Sequence, residues 1–286
     1  MSLGDRAEGM ARLRRAVAQI EAEAGPAGAR TARRLPFGRA FDAALGGGLA
    51  DDGLHEIAPA EPQDGAAAMG FALALAARFL SRRPASALII GEGFAAQEAG
   101  ALYGPGLIAH GLPLSRLVFV HAPDAALAFW AMEEALKCGA PAAVVGEVWN
   151  LKGYSLAASR RLLLAARKGR TPALLILASA YGQAERLSSA AETRFEIAAA
   201  PSVKPKAAAG RDLPGPFSCG ARLVKARLVR AGPEGPLRAF DAERVIRLEW
   251  RSQDNIFEEL AFGDPAISLP VVAAAGDGPR AASQWR

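Results

Sequence analysis

Between residues 53 and 177 the sequence alternates short, largely apolar stretches with longer amphipathic ones, and this rhythm narrows the fold more than any other feature. The runs are residues 53–58, 86–90, 117–121, 142–145 and 172–177. A strand with one face in water alternates polar and apolar residues, whereas a strand that is apolar throughout is covered on both faces. The stretches at about 66–82, 125–138 and 156–168 carry apolar residues at helical spacing. Strands of this kind alternating with helices specify an α/β fold, a largely parallel sheet flanked by helices. After residue 192 the rhythm changes. Residues 195–198, 222–230 and 244–250 read as strands with no helix between them, so antiparallel strands extend the sheet. Residues 201–216, rich in Pro, Ala and Gly, read as a loop.

The two ends read differently. Met10, Leu13, Val17 and Ile20 recur at spacings of three and four among Arg12, Arg14 and Arg15, which predicts a short amphipathic helix. A linker with Gly25, Pro26 and Gly28 follows. The expected division is therefore residues 1–34 as helix and linker, 35–262 as core, and 263–286 as tail. The apolar helix stripe of Leu13, Val17 and Ile20 must be covered by the core or by another chain. The tail residues Leu269 and Val271 form a second candidate partner-binding stretch, with folding back on the core as the alternative.

Several classes of chemistry find no support. Cys138 and Cys219 are the only cysteines and do not form a C-x-x-C pair, and His55, His110 and His121 are scattered. No disulfide framework, metal site or cofactor is expected. The N-terminus lacks a signal-like apolar core, and no apolar run reaches the roughly 18–20 residues of a membrane span. A reducing cytoplasm is the expected location, with the nucleoid when engaged. Charge is unevenly spread: residues 35–149 hold 6 basic and 12 acidic side chains, residues 150–252 hold 19 and 8. A basic region of that kind fits either a polyanion partner or an ordinary solvated surface.

The order of motifs resembles a known family. Residues 35–38, then Phe41-Asp42-Ala43-Ala44-Leu45-Gly46-Gly47-Gly48-Leu49, then Leu54-His55-Glu56-Ile57 resemble the opening of RecA and RadA proteins. The stretches 102–107, 131–139, 158–162 and 268–272 are similar to the ImuA family, RecA-like accessory proteins of bacterial mutagenesis cassettes. The resemblance implies a RecA-like core. It also implies work alongside ImuB, an inactive Y-family polymerase homologue, and through it an error-prone replicative-type DNA polymerase in damage-induced translesion synthesis. RecA and single-stranded DNA are further partners it leaves open.

The position of a RecA-type phosphate loop can be read residue by residue. Such a loop needs glycines for a backbone nest, a lysine for the phosphates and a hydroxyl for magnesium. Here the stretch is Pro59-Ala60-Glu61-Pro62-Gln63-Asp64-Gly65-Ala66. Gly65 stands where the lysine belongs and Ala66 where the hydroxyl belongs. Pro59 and Pro62 remove backbone donors, and Glu61 and Asp64 repel a triphosphate. Gly146 stands where such enzymes carry a magnesium carboxylate, and Glu147 next to it faces the other way. Glu92 is either a displaced base or a loop carboxylate without a chemical role. Phosphoryl transfer is mostly positioning and charge neutralisation, so the expectation is a non-catalytic adaptor.

The resemblance also places DNA-facing loops at residues 149–154 and about 179–192. Lys152, with Trp149 and Tyr154, gives the first loop a cation and two aromatics. Arg160, Arg161, Arg167 and Lys168 lie on the next helix, and Lys225 and Arg227 on a later strand. Each set reads as a DNA contact or, equally, as a solvated or edge-guarding charge. Two other functions stay open at this point: a SulA-like inhibitor of cell division, and an atypical DNA-stimulated ATPase.

Overall fold

A computed structural model describes residues 33–202, 215–227 and 240–260. The stripe of Leu13, Val17 and Ile20, the linker, and the tail with Leu269 and Val271 lie outside the described residues. Apart from Arg33, the described residues fall in one compact unit that begins at Arg34.

The chain opens with β1 (Arg34–Leu35), α1 (Arg39–Ala44) and β2 (Leu49–Ala50), and β1 and β2 pair as a small antiparallel ribbon. Then come β3 (Leu54–Pro59), α2 (Gly65–Leu80), β4 (Ala87–Glu92), α3 (Gly93–Ala99), α4 (Gly104–Ala109) and β5 (Leu117–Ala122). They are followed by α5 (Ala125–Cys138), β6 (Ala143–Val148), α6 (Leu156–Gly169) and β7 (Ala173–Leu177). The described residues close with β8 (Thr193–Ala199), β9 (Ser218–Ala226), β10 (Val245–Arg251) and β11 (Ile256–Leu260).

Nine of these strands form one sheet in the order β11-β10-β9-β8-β3-β7-β6-β4-β5. The six from β8 to β5 pair in parallel, and β9, β10 and β11 add antiparallel. This is an α/β core, a largely parallel sheet flanked by helices, with appended antiparallel strands. Its central strands β3 and β7 are buried along their whole length, β7 as its unbroken apolar run requires and β3 with His55 and Glu56 buried in its middle.

The pleat sends alternate residues to two cores. On one face Ile57, Val145, Leu174 and Phe195 meet α2, in which eleven residues are buried. Phe37, Phe41, Phe71, Phe195 and Phe257 join there in an aromatic cluster with ring centroids 5.2–6.5 Å apart. Asp42 holds the entry to that core: its carboxylate accepts the N–H groups of Phe37 and Gly38 at 2.9 and 3.3 Å. On the other face Leu54, Ile90, Val144 and Leu175 meet α5 and α6. Asp124 caps α5 through the Leu127 N–H, and Ser155 caps α6 through the Ala158 N–H. The two helices come together at their C-terminal ends. A Cβ on Gly169 would fall 1.7 Å from the Leu136 carbonyl oxygen, so only glycine permits the approach.

The strand boundaries shift in two places. The strand expected at 222–230 begins four residues earlier, at Ser218, because β9 pairs with both β8 and β10. A further strand, β11, follows β10 through a tight turn in which Asn255 is left-handed. Helices α1, α3 and α4 were not evident in the sequence; at six or seven residues they are too short to show a helical period.

Candidate functional site

The β3–α2 connection is where a phosphate would meet the helix N-terminus. Here the chain closes that position with its own carboxylate. Pro62–Asp64 forms a single 3-10 turn after β3, and α2 starts at Gly65. Asp64 is buried, and its two oxygens accept the Glu61 N–H at 3.0 Å and the Ala199 N–H at 2.8 Å. The Glu61 side chain accepts the Asp64 N–H in return, which completes a capping box. The Glu61 and Ala199 N–H groups are thus taken up by Asp64, and two carboxylates stand at the connection. Space is not the obstacle at Gly65, where an added Cβ would meet nothing within 4 Å.

At Gly146, where a magnesium carboxylate would be expected, packing leaves no room for a side chain. A Cβ on Gly146 would lie 2.1 Å from the Met132 sulfur, because α5 lays Met132 directly against the β6 backbone. Glu147 turns to the opposite face. Burial pushes its carboxyl up to about 6, and the negative charge of Glu92 adds to the shift. Glu92 is itself buried, and its Oε2 accepts the N–H groups of Trp149 and Asn150 at 2.8 and 3.1 Å. It anchors the start of the first loop. The histidines are internally satisfied or exposed. His55 is buried, bonds Thr193 and the Ala50 carbonyl, and is held down to about 4 by burial. His110 bonds the Gly70 carbonyl, and His121 is exposed. No group of three or more metal-ligating side chains occurs among the described residues.

Both candidate loops converge on one buried carboxylate that sequence reasoning did not single out. Glu56, in the middle of β3, is fully buried. Arg194 on β8 donates to it through Nε at 2.6 Å. The remaining guanidinium nitrogens of Arg194 reach the second loop: the Ala184 carbonyl, the Leu187 carbonyl at 2.8 Å and Ser189 Oγ at 2.8 Å. From the first loop, the Tyr154 hydroxyl donates to Glu56. Ser189 Oγ donates to the same carboxylate at 3.0 Å. Part of the signal was present in Glu56, an ionisable residue inside the stretch 53–58, while Arg194 lies just before the strand read at 195–198; a core tolerates such residues only when they are paired.

The basic candidates divide into two groups. Arg161 pairs with Glu133 across the α5–α6 contact, and Arg167 with Glu192 at 2.6 Å. Arg227 also faces Glu192, at 3.4 Å, and Lys225 donates to the Ser189 carbonyl. Tyr154 points inward and its ring stacks on Phe129 at 5.9 Å. Trp149 sets its ring edge-to-face against Phe94 at 5.6 Å. By contrast the side chains of Lys152, Arg160 and Lys168 are exposed, with no partner among the described residues. Much of the basic surplus is therefore used within the fold, as Arg222 shows with Glu185 and Glu196. No helix among the described residues is long and apolar enough to cross a membrane.

No protein-family model matches the chain. It is 36% identical over 168 residues to Protein ImuA of two strains of Caulobacter vibrioides, NA1000 / CB15N and ATCC 19089 / CIP 103742 / CB 15. The match covers 56% of this chain and 65% of each relative, so it spans just under two thirds of their length. Among solved structures, the RadB recombinase is similar at a TM-score of 0.46 and 14% identity, over 78% of this chain and 98% of that one. SulA from Pseudomonas aeruginosa is similar at a TM-score of 0.35 and 22% identity, over 43% of this chain and 96% of that one.

Proposed function

We propose that the chain belongs to the ImuA family, on the 168 residues it shares with the Caulobacter proteins, and that it is a non-catalytic RecA-like adaptor in damage-induced mutagenesis. One observation carries the reading. Where this fold would hold a nucleotide, the head of α2 carries the carboxylates of Glu61 and Asp64 in place of a lysine and a hydroxyl, and Met132 packs against Gly146. A site with two carboxylates and neither a lysine nor a magnesium carboxylate lacks the charge neutralisation that phosphoryl transfer needs. The scaffold then serves to present surfaces. Its partner on this reading is the ImuB-type polymerase homologue, which links it to an error-prone replicative DNA polymerase.

The loop geometry adds support. Tyr154, Arg161, Arg167, Lys225 and Arg227 all make contacts within the fold, which leaves few of the candidate groups to grip a single strand. The test is nucleotide binding and hydrolysis by the full chain, with and without single-stranded DNA, alongside affinity for the purified polymerase homologue. No nucleotide binding together with retention of the homologue is the expected result. DNA-stimulated hydrolysis abolished by Glu92→Ala would overturn the adaptor reading.

A further inference from the structure

The outer face of α5 and α6 holds a ridge that the fold itself does not use. Leu156, Arg160, Leu164 and Lys168 follow one another at intervals of four along α6. Residues so spaced form a single inclined ridge, the kind that seats in the groove of another helix. At about 1.5 Å per residue the ridge runs roughly 18 Å. Leu156 and Leu164 are 52% and 53% exposed, and Arg160 and Lys168 alternate with them, unpaired among the described residues. On α5, Leu127 and Trp130 are likewise exposed, 44% and 58%. The ion pair of Arg161 with Glu133 ties the two helices together beneath this surface.

From this face we propose that the α5–α6 surface docks an amphipathic helix of a protein partner, one whose apolar stripe alternates with carboxylates. The ridge form sets the occupant as a helix. The exposed leucines and tryptophan set its apolar stripe. The unpaired cations set its charge: Arg161 and Arg167 are neutralised by Glu133 and Glu192, whereas Arg160 and Lys168 stand between and beyond the leucines without a counter-charge. Nucleic acid fits the same face poorly. Phosphates offer nothing to Leu156 and Leu164, and Tyr154, the aromatic at the start of the helix, is turned in to Glu56. The chain's own N-terminal stripe is a poor occupant as well, since Arg12, Arg14 and Arg15 accompany it.

The proposal rests on the adaptor reading for the identity of the partner and on the ridge alone for its chemistry, and the test separates the two. The full chain, Leu164→Glu and Arg160→Glu/Lys168→Glu are measured by calorimetry against three probes. These are the purified polymerase homologue, a synthetic helix with leucine and glutamate stripes, and a single-stranded oligonucleotide. All four changed or neighbouring side chains are on the surface, so unaltered circular dichroism and melting are the folding control. The expected result is a loss of roughly tenfold or more in affinity for the homologue and the acidic helix in both variants. A lysine-striped helix should not bind. If the wild-type chain ignores the homologue yet binds the acidic helix through Leu164, the partner proposed above is wrong and the docking face stands. Equal binding of homologue and acidic helix by wild type and both variants overturns the docking face. So does wild-type failure to bind either of them, or oligonucleotide binding that is lost in Arg160→Glu/Lys168→Glu and kept in Leu164→Glu.

Discussion

Replacing Arg194 by methionine tests the idea that one buried ion pair organises both loops. Arg194 is 1% exposed and Glu56 fully buried. Methionine keeps much of the aliphatic volume but removes every donor. Glu56 would keep only the Tyr154 and Ser189 hydroxyls, and the Ala184 and Leu187 carbonyls would lose their partner. Breaking one side of a buried pair costs about 3–5 kcal/mol, mostly for the charge left behind. The cost should depend on pH. Burial already raises the Glu56 carboxyl above its usual range, with Arg194 opposing the shift. An acid whose folded value is raised stabilises the fold below its unfolded value, near 4.5, and that contribution fades as pH rises through the folded value. Without Arg194 the folded value rises further, so the deficit of the variant should be small near pH 5 and grow towards pH 8. Chemical denaturation at several pH values measures it, and amide exchange reads the loop, where residues 181–190 should lose protection. A loss below about 1 kcal/mol at neutral pH, or one that does not change with pH, would refute the assignment. In a double-mutant cycle with Glu56→Leu, additivity would do the same.

Other expectations follow from the same geometry. Gly146→Asp, meant to restore a magnesium ligand, should fail to confer nucleotide binding. It should also destabilise the protein by about 3 kcal/mol or more, because its Cβ collides with Met132 and its charge enters a packed interface; equilibrium unfolding measures this. Held down to about 4, His55 should make the protein acid-sensitive. Its contribution is whole above pH 6.5 and lost as pH falls through 4, about 3 kcal/mol in all, and it should vanish from the pH–stability profile of His55→Gln. Glu147 works in the opposite sense. Its raised value means that stability falls as pH rises from about 4.5 to 6, so Glu147→Gln should gain up to about 2 kcal/mol at pH 7, read from the melting free energy.

Much of the core was legible because periodicity is local. The helix at 125–138 coincides with α5, that at 156–168 falls one residue short of α6, and the five apolar runs became β3 to β7 within a few residues. The missing lysine and hydroxyl could also be read directly, since a phosphate loop is a contiguous motif. The sequence could not show that Asp64 would fold back to take the Glu61 and Ala199 N–H groups. Ala199 is 135 residues away along the chain and reaches Asp64 only because β8 lies beside β3. Nor could composition tell which cations were free. Arg161 and Arg167 resemble Arg160 in sequence, but their helix faces point at Glu133 and Glu192.

The sequence by itself determined the layering of the sheet and the absence of a lysine, a hydroxyl and a carboxylate at Gly65, Ala66 and Gly146, because each follows from residue type at short range; the strand expected to open the antiparallel part, β8, instead pairs in parallel with β3, and antiparallel pairing begins at β9. The tertiary structure alone decided what occupies the emptied site, and that two loops hang from Glu56 and Arg194. It alone left Arg160, Leu164 and Lys168 facing water. Those outcomes depend on which strands become neighbours, and a charge distant in sequence is neutralised or left free only once the sheet has brought its counter-charge within a few ångströms.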